Sequence, residues 1–444
     1  MDDAHYLPQV KEQYENYPYP MRDPADEVKR LVCSQMPYLA NINHFCFKGR
    51  QDFNNGFRAL MAGGGTGDAT IFLAEQLRGK NAQIIYLDMC DASMEIAKRR
   101  AAIRKLDNIE WVKGSLLEID KSMLGEFDYI NCSGVLHHLE SPEEGLSRLK
   151  GVLKDNGAIG IMLYGQYGRT GIYQMQELMR LVNTGQSDIT ANLQNTKAVL
   201  GCLPPSNLFK KTEANFGFPA TLNSNIEVVD LFLHSQDRAY TVPEVYELVE
   251  QCGLHFVDFA SKRPLYRPER FVKDPELLET IHALSAETQQ AIAELMDGSI
   301  KKQIFYASMQ PDTIAGPDDP EMIPYLYREN TGPQIYEKIK DMPVGVAVDM
   351  TDKVEGTARF TIEPYTKALF KHLSGDKTLK EIFELIRAEC DGDDKPSDAV
   401  LMQEFRRLYE LFNLLSLMVL RHKSVPPFLR NEQIQERFIR LYNK

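Results

Sequence analysis

Short apolar runs alternate with amphipathic stretches over roughly residues 55–165, and the clearest unit of this pattern lies near its start. The apolar run at 59–62 ends in a glycine-rich turn at 63–67, and residues 68–76 follow with helical spacing. A second apolar run at 82–87 ends in Asp88. Such short runs bounded by turn residues are typical of buried strands. The pattern predicts a strand, a tight turn, a helix and a second strand, the repeating unit of an α/β fold with a parallel sheet.

The glycine-rich turn is the first candidate site. Its glycines are Gly63, Gly64, Gly65 and Gly67. Without side chains the backbone can approach a ligand closely, and the helix that follows presents free N–H groups at its N-terminus. Asp88, at the end of the next strand, can accept both hydroxyls of a ribose. Together these features predict a nucleoside-like cofactor.

The spacing of the glycines selects among such cofactors. Dinucleotide-binding folds use G-x-G-x-x-G, whereas this chain has G-x-G-x-G with Asp68 at the place of the third glycine. The G-K-[ST] of a phosphate-binding P-loop is absent from the sequence here. An acidic residue that opens the helix repels a pyrophosphate and suits a cationic sulfonium, which favours S-adenosylmethionine (SAM). An ordinary glycine turn is the alternative, and the flanking strands with Asp88 in register argue against it.

Beyond this unit the chain resembles the class I SAM-dependent methyltransferases over roughly residues 55–165. The resemblance is carried by four further segments in the family's order: 87–98 for the second-strand motif, 109–115 for the third strand and its turn, 127–139 for the fourth strand and its tip, and 149–163 for the helix, turn and fifth strand. It implies an α/β, Rossmann-like, seven-stranded sheet closed by an antiparallel strand at 302–308. It also implies that Met89 covers the adenine, that Ser115 and Leu116 line its edge, and that Ser133 lies near the sulfonium.

Two positions depart from the family's pattern. Met61 stands where the family often has an acidic residue, two places before the first glycine, and Ser115 stands where it often has aspartate. A hydroxyl can still take part in a hydrogen bond, and backbone groups can contact adenine. A decayed site that binds SAM without catalysis is the alternative.

The catalytic candidates come from the tip of the fourth strand and from the N-terminal segment. His137 and His138 lie just beyond the tip, in the loop that faces the substrate in similar enzymes, so one imidazole can act as a general base. A helix-capping or core histidine is the alternative. Tyr17 and Tyr19 belong to a Tyr-Pro-Tyr-Pro segment whose prolines hold an extended backbone. With Tyr14 they are candidates to hydrogen-bond a lysine amine or cover a carbon substrate.

Length and composition narrow the class of protein. The chain has 444 residues, enough for about two or three domains, with an ordinary 43% hydrophobic and 26% charged content. No apolar run approaches the ~20 residues that cross a bilayer, and the N-terminus lacks the regions of a signal peptide. Seven scattered cysteines without C-x-x-C argue against disulfide or metal frameworks and favour a reducing cytoplasm. A formal net charge of −12 makes nucleic acid an unfavourable partner.

The chain divides into four predicted regions. Residues 1–57 form an aromatic arm, either a lid over the SAM site or a surface arm. Residues 58–310 form the catalytic domain, with a helical insertion at about 165–228 that builds a substrate wall or a homodimer contact. Residues 311–345 are rich in proline, aspartate and glycine and are predicted to be a linker carrying a short helix. Residues 346–444 resemble a small α+β, winged-helix-like module that binds a partner or substrate; a stabilising appendage is the alternative.

The order of arm, catalytic sheet with insertion and C-terminal module is similar to bacterial protein lysine methyltransferases of the rickettsial type. The resemblance implies a methyltransferase that acts on protein side chains, lysine in particular. Two alternatives stay open. One is a small-molecule methyltransferase, because the G-V-L-H-H-L run is common in such enzymes, and the other is a non-catalytic SAM-binding regulatory or scaffold protein.

Overall fold

The computed structural model describes residues 8–216, 224–328, 330–352, 356–390 and 395–442. Its strands are β1 (Asn55–Ala62), β2 (Asn81–Asp88), β3 (Ile109–Lys113), β4 (Phe127–Ser133), β5 (Leu153–Gly165), β6 (Ala239–Tyr240), β7 (His255–Phe259), β8 (Lys302–Ser308), β9 (Met322–Leu326), β10 (Ala347–Asp352), β11 (Gly356–Thr361) and β12 (Met418–His422). Its helices are α1 (Pro8–Asn16), α2 (Leu39–Asn41), α3 (Asp68–Leu77), α4 (Asp91–Ile103), α5 (Lys121–Leu124), α6 (Pro142–Gly151), α7 (Thr170–Val182), α8 (Ile189–Cys202), α9 (Leu208–Phe216), α10 (Asn225–Phe232), α11 (Val242–Gln251), α12 (Pro275–His282), α13 (Ala286–Asp297), α14 (Thr331–Ile339), α15 (Thr366–His372), α16 (Leu379–Glu389), α17 (Asp398–Leu414) and α18 (Asn431–Tyr442). None of these helices has the length and apolar character that crossing a bilayer requires.

The central sheet follows the alternating pattern of the sequence. Its strand order is β3-β2-β1-β4-β5-β8-β7, with β1 to β5 parallel and β8 antiparallel to both of its neighbours. This confirms the Rossmann-like methyltransferase sheet and the antiparallel strand at 302–308. The two-residue β6 adds one further pairing, at the end of β5. Because the chain leaves β1 in one direction and returns to its other side with β4, the carboxyl ends of β1 and β4 border the crevice where such sheets bind ligands.

Apolar side chains cover both faces of the sheet. Leu60, Ile85 and Ile130 belong to the core on one face, and their chain neighbours Ile84 and Tyr129 belong to the core on the other. Consecutive side chains of a strand point to opposite faces, and a parallel sheet between helix layers is buried on both. One local boundary differs from the prediction. Strand β5 begins directly after α6, and the turn predicted between them is an irregularity in the pairing of β5 with β4.

The predicted N-terminal arm, residues 1–57, has two parts in the described structure. Residues 8–28 contain α1 and a short 3₁₀ helix at Pro24–Val28, and we call them the arm from here on. Residues 36–57 instead join the sheet core through side chains such as Ile42 and Phe53, which are almost fully buried. Their hydrophobicity places them under the sheet, so the arm ends earlier than the aromatic content of the sequence suggested.

The C-terminal module is an α+β unit with its own core, formed by α14 to α17 together with β9, β11 and β12. Strand β9 and helix α14 lie inside 311–345, the segment predicted to be a linker, and β9 pairs antiparallel with β12. The segment therefore contributes core structure, which its proline and glycine content concealed. The buried His44 joins the module to the sheet: its Nδ1 accepts the Leu420 N–H at 3.0 Å, and its Nε2 lies 3.1 Å from Asn413 Nδ2.

The predicted insertion is observed as helices α7 to α10, which pack on one another around Met175, Phe209, Val229 and Phe232. Residues 217–223 of the insertion lie outside the described residues. The helices follow the carboxyl end of β5, so the insertion stands beside the ligand crevice of the sheet.

A buried ionic cluster connects the arm to the sheet. The Glu27 carboxylate, 3% exposed, accepts the Arg100 Nε–H at 2.6 Å and also bonds Arg104. Arg104 reaches Glu75 of α3 at 3.3 Å. Arg100 also donates to the carbonyl of Thr66 in the glycine turn at 2.7 Å. The cluster fixes the arm, α3 and α4 relative to one another.

Replacing Glu27→Gln should destabilise the protein strongly. Two buried arginines then lose their carboxylate, and breaking a buried ion pair on one side costs about 3–5 kcal/mol. Urea unfolding followed by circular dichroism measures the change in the free energy of unfolding. The matched control is Asp26→Asn, which removes the solvent-exposed pair with Lys29; we expect no measurable change because exposed pairs contribute little. Equal effects of the two substitutions would contradict a structural role for the buried cluster.

Candidate functional site

The glycine turn stands between β1 and α3, at the carboxyl edge of the sheet. The N–H groups of Gly63 and Gly64 both donate to the Leu87 carbonyl, at 2.9 and 3.1 Å, and so tie the turn to the end of β2. A Cβ on Gly64 would lie 2.2 Å from the Tyr86 ring, and Gly67 begins α3 with φ of +97°. Side chains are excluded at these positions, which leaves the backbone free to face a ligand.

Asp88 lies beside this turn at the end of β2. One of its carboxylate oxygens accepts the Gly65 N–H at 2.7 Å, and the other accepts the Cys90 N–H at 2.8 Å. Burial raises the pKa of Asp88, while these backbone donors oppose the rise. Each oxygen retains acceptor capacity, so the carboxylate can still receive two ribose hydroxyls. The donor and acceptor set fits the nucleoside that the sequence predicts.

The arm lies across this crevice and is held at two points. The Glu15 carboxylate accepts the N–H groups of Asp91 and Ala92 at 2.9 and 3.0 Å. This places a negative charge at the N-terminus of α4, where the helix dipole favours it. The Thr66 hydroxyl donates to the Pro20 carbonyl at 2.7 Å. The arm thus contacts both the glycine turn and the helix that follows Asp88.

Asp68 has a different role from the one that the sequence suggested. Its carboxylate pairs with Arg22 at 2.5 Å and with Arg100 at 2.7 Å. Burial alone raises the pKa of Asp68, but the hydrogen bonds and charges of these two arginines outweigh burial and lower it. Because two cations neutralise the carboxylate, its charge does not select between a pyrophosphate and a sulfonium. Asp68 anchors the arm instead.

One cavity of about 1140 Å³ extends from the glycine turn to the helical insertion. Every residue predicted to bind the cofactor lines it: Gly63, Gly64, Gly65, Gly67, Asp88, Met89, Ser115, Leu116 and Ser133. Polar side chains from the arm, β5, the insertion and β8 line its far half: Tyr14, Tyr19, Tyr164, Arg169, Glu227, Asp230 and Lys302. The tertiary structure therefore joins the predicted cofactor site to a second, charged compartment.

The structure separates the four predicted catalytic residues. His138 and Tyr19 line the cavity. His137 is fully buried between His138 and Tyr164, with ring centroids at 4.2 and 4.0 Å, and it is not part of the cavity wall. Tyr17 packs against the insertion helices. Only His138 and Tyr19 are therefore placed to meet a substrate directly.

The histidines around the cavity are neutral at physiological pH. Burial lowers the pKa of His138 to about 4 and that of His137 well below the ordinary value. His138 Nδ1 lies 2.8 Å from the Gln236 carbonyl, and its ring stacks on His234 at 3.9 Å. Tyr14 in turn hydrogen-bonds His234 Nε2 at 3.2 Å. This cluster builds a neutral wall with few free nitrogen atoms.

Two buried charged groups in the far half were not predicted from the sequence. Asp230 is 6% exposed and its Oδ1 has no hydrogen-bond partner among the described residues. Arg169 is 5% exposed, and its Nε and Nη2 have no hydrogen-bond acceptor in the same part of the chain. Its guanidinium lies 3.5 Å above the Tyr164 ring and 3.5 Å from Asp237. A carboxylate inside the apolar run at 228–233 is the signal that pointed to Asp230 in the sequence.

The comparisons with known proteins agree with this geometry. A family model described as a methyltransferase domain matches residues 60–159, the part of the sheet that carries the glycine turn and Asp88. The chain is a class I SAM-dependent methyltransferase. Its cofactor is SAM, and the residues that line the near half of the cavity are placed to hold it.

Three similar proteins extend the comparison. The methyltransferase is 29% identical over 306 residues to an uncharacterized protein of Synechococcus, syc1184_c, covering 68% of this chain and 72% of that one. It is 21% identical to the ubiquinone biosynthesis O-methyltransferase of Acinetobacter baylyi over 30% of this chain and 56% of that protein. PKMT2 from Rickettsia typhi has a similar structure, with a TM-score of 0.62 at 14% identity, covering 88% of this chain and 76% of that one. A second structure of PKMT2, in complex with AdoHcy, has a TM-score of 0.59 at 16% identity, covering 87% of this chain and 75% of that one. At these identities the PKMT2 likeness shows the fold, which includes the regions outside the sheet.

Asp88→Ala should lower the affinity of the methyltransferase for SAM by at least about 100-fold. Hydrogen bonds to a charged group contribute about 1.5–3 kcal/mol each, and 1.4 kcal/mol is tenfold in a binding constant. Isothermal titration calorimetry with SAM measures the loss. Asp91→Asn is the matched control, because Asp91 lies three residues further on and pairs with Lys113 at the surface. Unchanged affinity in Asp88→Ala would contradict the assignment of Asp88 to the ribose.

Asp230→Asn should stabilise the fold at pH 8 and have a smaller effect at pH 5. Burial raises the pKa of Asp230 to about 7, against about 3.9 in an unfolded chain. The folded state holds the proton more tightly, so ionisation costs stability progressively between about pH 4 and 7. The amide removes that cost. Thermal unfolding at both pH values tests this, with exposed Asp107→Asn as the control; a pH-independent effect of Asp230→Asn would contradict it.

Proposed function

We propose that the enzyme transfers the methyl group to the side-chain amine of lysine in a protein. The observation that carries the proposal is the unpaired Oδ1 of Asp230 in the far half of the cavity. A buried acceptor without a donor costs about 1–3 kcal/mol, so a substrate that brings a donor is favoured there. A lysine amine brings N–H donors at the end of a long apolar stem.

The residues of this compartment suit an amine that must lose a proton. Bound SAM supplies a methyl group activated by the sulfonium. A protonated amine has no lone pair for attack, so the site has to accept its proton. With its pKa raised to about 7 by burial, Asp230 is a carboxylate base matched to neutral pH. Tyr14, Tyr19 and Tyr164 border the same space, and their ring faces attract a cationic amine before it is deprotonated.

His138 is the weaker candidate for this base. Burial lowers its pKa to about 4, so it holds a proton poorly at neutral pH. Its Nδ1 is engaged by the Gln236 carbonyl. The pKa of Asp230 lies closer to the pH at which an amine acceptor must be deprotonated, and we assign the proton acceptor to Asp230.

The parts outside the sheet support a protein as the substrate. We propose that the arm is a lid, because Glu15, Pro20 and Arg22 bind it to both sides of the cofactor crevice. We propose that the C-terminal module holds the substrate chain. His44 and Tyr325 join that module to the sheet core by buried contacts, so it is held at a set position. A homodimer through 165–228 and a location in the cytoplasm stay predictions.

A small-molecule acid is the second candidate substrate. Arg169 leaves two buried donor nitrogen atoms without acceptors in the described structure, and a carboxylate or phenolate would satisfy them. The Acinetobacter relative is a ubiquinone biosynthesis O-methyltransferase, which makes an oxygen acceptor the natural comparison.

Transfer of a radiolabelled methyl group from SAM into an extract of the source cells separates these functions. The proposal predicts label in the protein fraction, on lysine after acid hydrolysis. It also predicts that Asp230→Asn removes most of the label while SAM affinity is retained, because Asp230 acts on the acceptor. Asp88→Ala should remove the label by loss of the cofactor.

The control for Asp230→Asn is Asp107→Asn, which changes an exposed carboxylate far from the cavity wall. Label confined to small molecules would overturn the protein substrate and favour the acid. Label on protein oxygen or on nitrogen other than lysine would overturn the lysine assignment. SAM binding without label in any fraction would favour a regulatory or scaffold protein.

A further inference from the structure

The cavity-facing side of the sheet carries two aligned rows of side chains. Ser133 of β4 pairs with Met162 of β5, and Met162 pairs with Ile304 of β8. Two residues further along β5 and β8, Tyr164 pairs with Lys302. Directly paired residues, and residues two apart on one strand, point to the same face. All five side chains line the cavity.

This alignment directs a primary amine toward the cofactor half. Ser133 stands at the tip of β4, in the wall that the cofactor site shares with the far half. Lys302 is two strands across and one row further on. Neighbouring strands lie about 4.8 Å apart and two residues span about 6.6 Å, so the two Cα atoms are about 12 Å apart. The lysine side chain covers about half of that distance.

The amine of Lys302 is accessible inside the cavity. Lys302 begins β8 as an exposed residue of an otherwise buried strand. Among the described residues its Nζ takes part in no ion pair within 4.0 Å, and its charged neighbours Arg169, Lys262, Glu227 and Asp230 act on it at longer range. Burial, reinforced by Arg169, lowers the pKa of Lys302, which increases the share of the neutral, nucleophilic form.

We infer that Lys302 is a site of self-methylation, in which the enzyme transfers a methyl group from its own bound SAM to Lys302 Nζ. The inference uses only the methyltransferase activity and the placement of Lys302. It goes beyond the proposed protein substrate, and either can fail without the other.

The step balances without any further reactant. The lone pair of the neutral Lys302 amine forms the new N–C bond while the methyl–sulfur bond breaks, and its electron pair stays on sulfur, which leaves the neutral thioether S-adenosylhomocysteine. The nitrogen then carries a positive charge and one proton more than methyllysine needs. Asp230, which interacts electrostatically with Lys302, takes that proton.

Mass spectrometry of the full chain tests the inference. The purified enzyme is incubated with SAM that carries a trideuterated methyl group, and peptides are then mapped. We expect the added group on Lys302, formed with a first-order rate constant that does not change on tenfold dilution, because cofactor and amine belong to one molecule. Lys302→Arg keeps the positive charge and should abolish the modification.

A second readout needs no turnover. Acetic anhydride should acetylate Lys302 in the cofactor-free enzyme, and saturating S-adenosylhomocysteine should suppress that acetylation while exposed Lys121 reacts equally in both states. Absence of methyl on Lys302 in an enzyme that binds SAM would overturn the inference. So would methylation of Lys301 in its place, a rate that rises with protein concentration, or acetylation of Lys302 that the nucleoside leaves unchanged.

Discussion

The buried chain of charges from Asp68 through Arg100 to Glu27 is the constraint on which the cofactor crevice depends. Arg100 contacts the glycine turn at Thr66, the start of α3 at Asp68 and the arm at Glu27. A guanidinium with several fixed donors can bind three partners at once, which a lysine cannot do with the same geometry. The position of the arm over the crevice and the position of the glycine turn are therefore set by one side chain.

The far half of the cavity has the opposite electrostatic character. Where the Glu27 cluster pairs its charges, Asp230 and Arg169 leave hydrogen-bonding atoms unpaired in a buried site. Such groups cost stability, and functional sites are where folded proteins retain them. The neutral histidines and tyrosines around them keep the local dielectric low, which strengthens any charge interaction that a substrate makes there.

The two halves of the cavity differed in how far they could be predicted. The glycine turn, Asp88, Met89 and Ser133 are local in sequence, because each follows the end of a strand whose neighbours the alternating pattern identifies. Asp68 had the right position and the wrong role, since its charge is cancelled by Arg22 and Arg100 from distant segments. His137 and His138 are adjacent in sequence, yet only His138 reaches the cavity, because consecutive residues of a turn point in different directions.

By itself, the sequence determined the strand order, the cofactor site and the family, because hydrophobic periodicity and glycine spacing are local properties that survive without knowledge of packing. Only the tertiary structure decided which side chains form the acceptor compartment. Asp230, Arg169 and Lys302 come from an insertion helix, the end of β5 and the start of an antiparallel strand, and nothing in their spacing along the chain relates them. Their burial and unpaired atoms arise when the insertion folds against the sheet, so their role follows from packing and solvent exclusion.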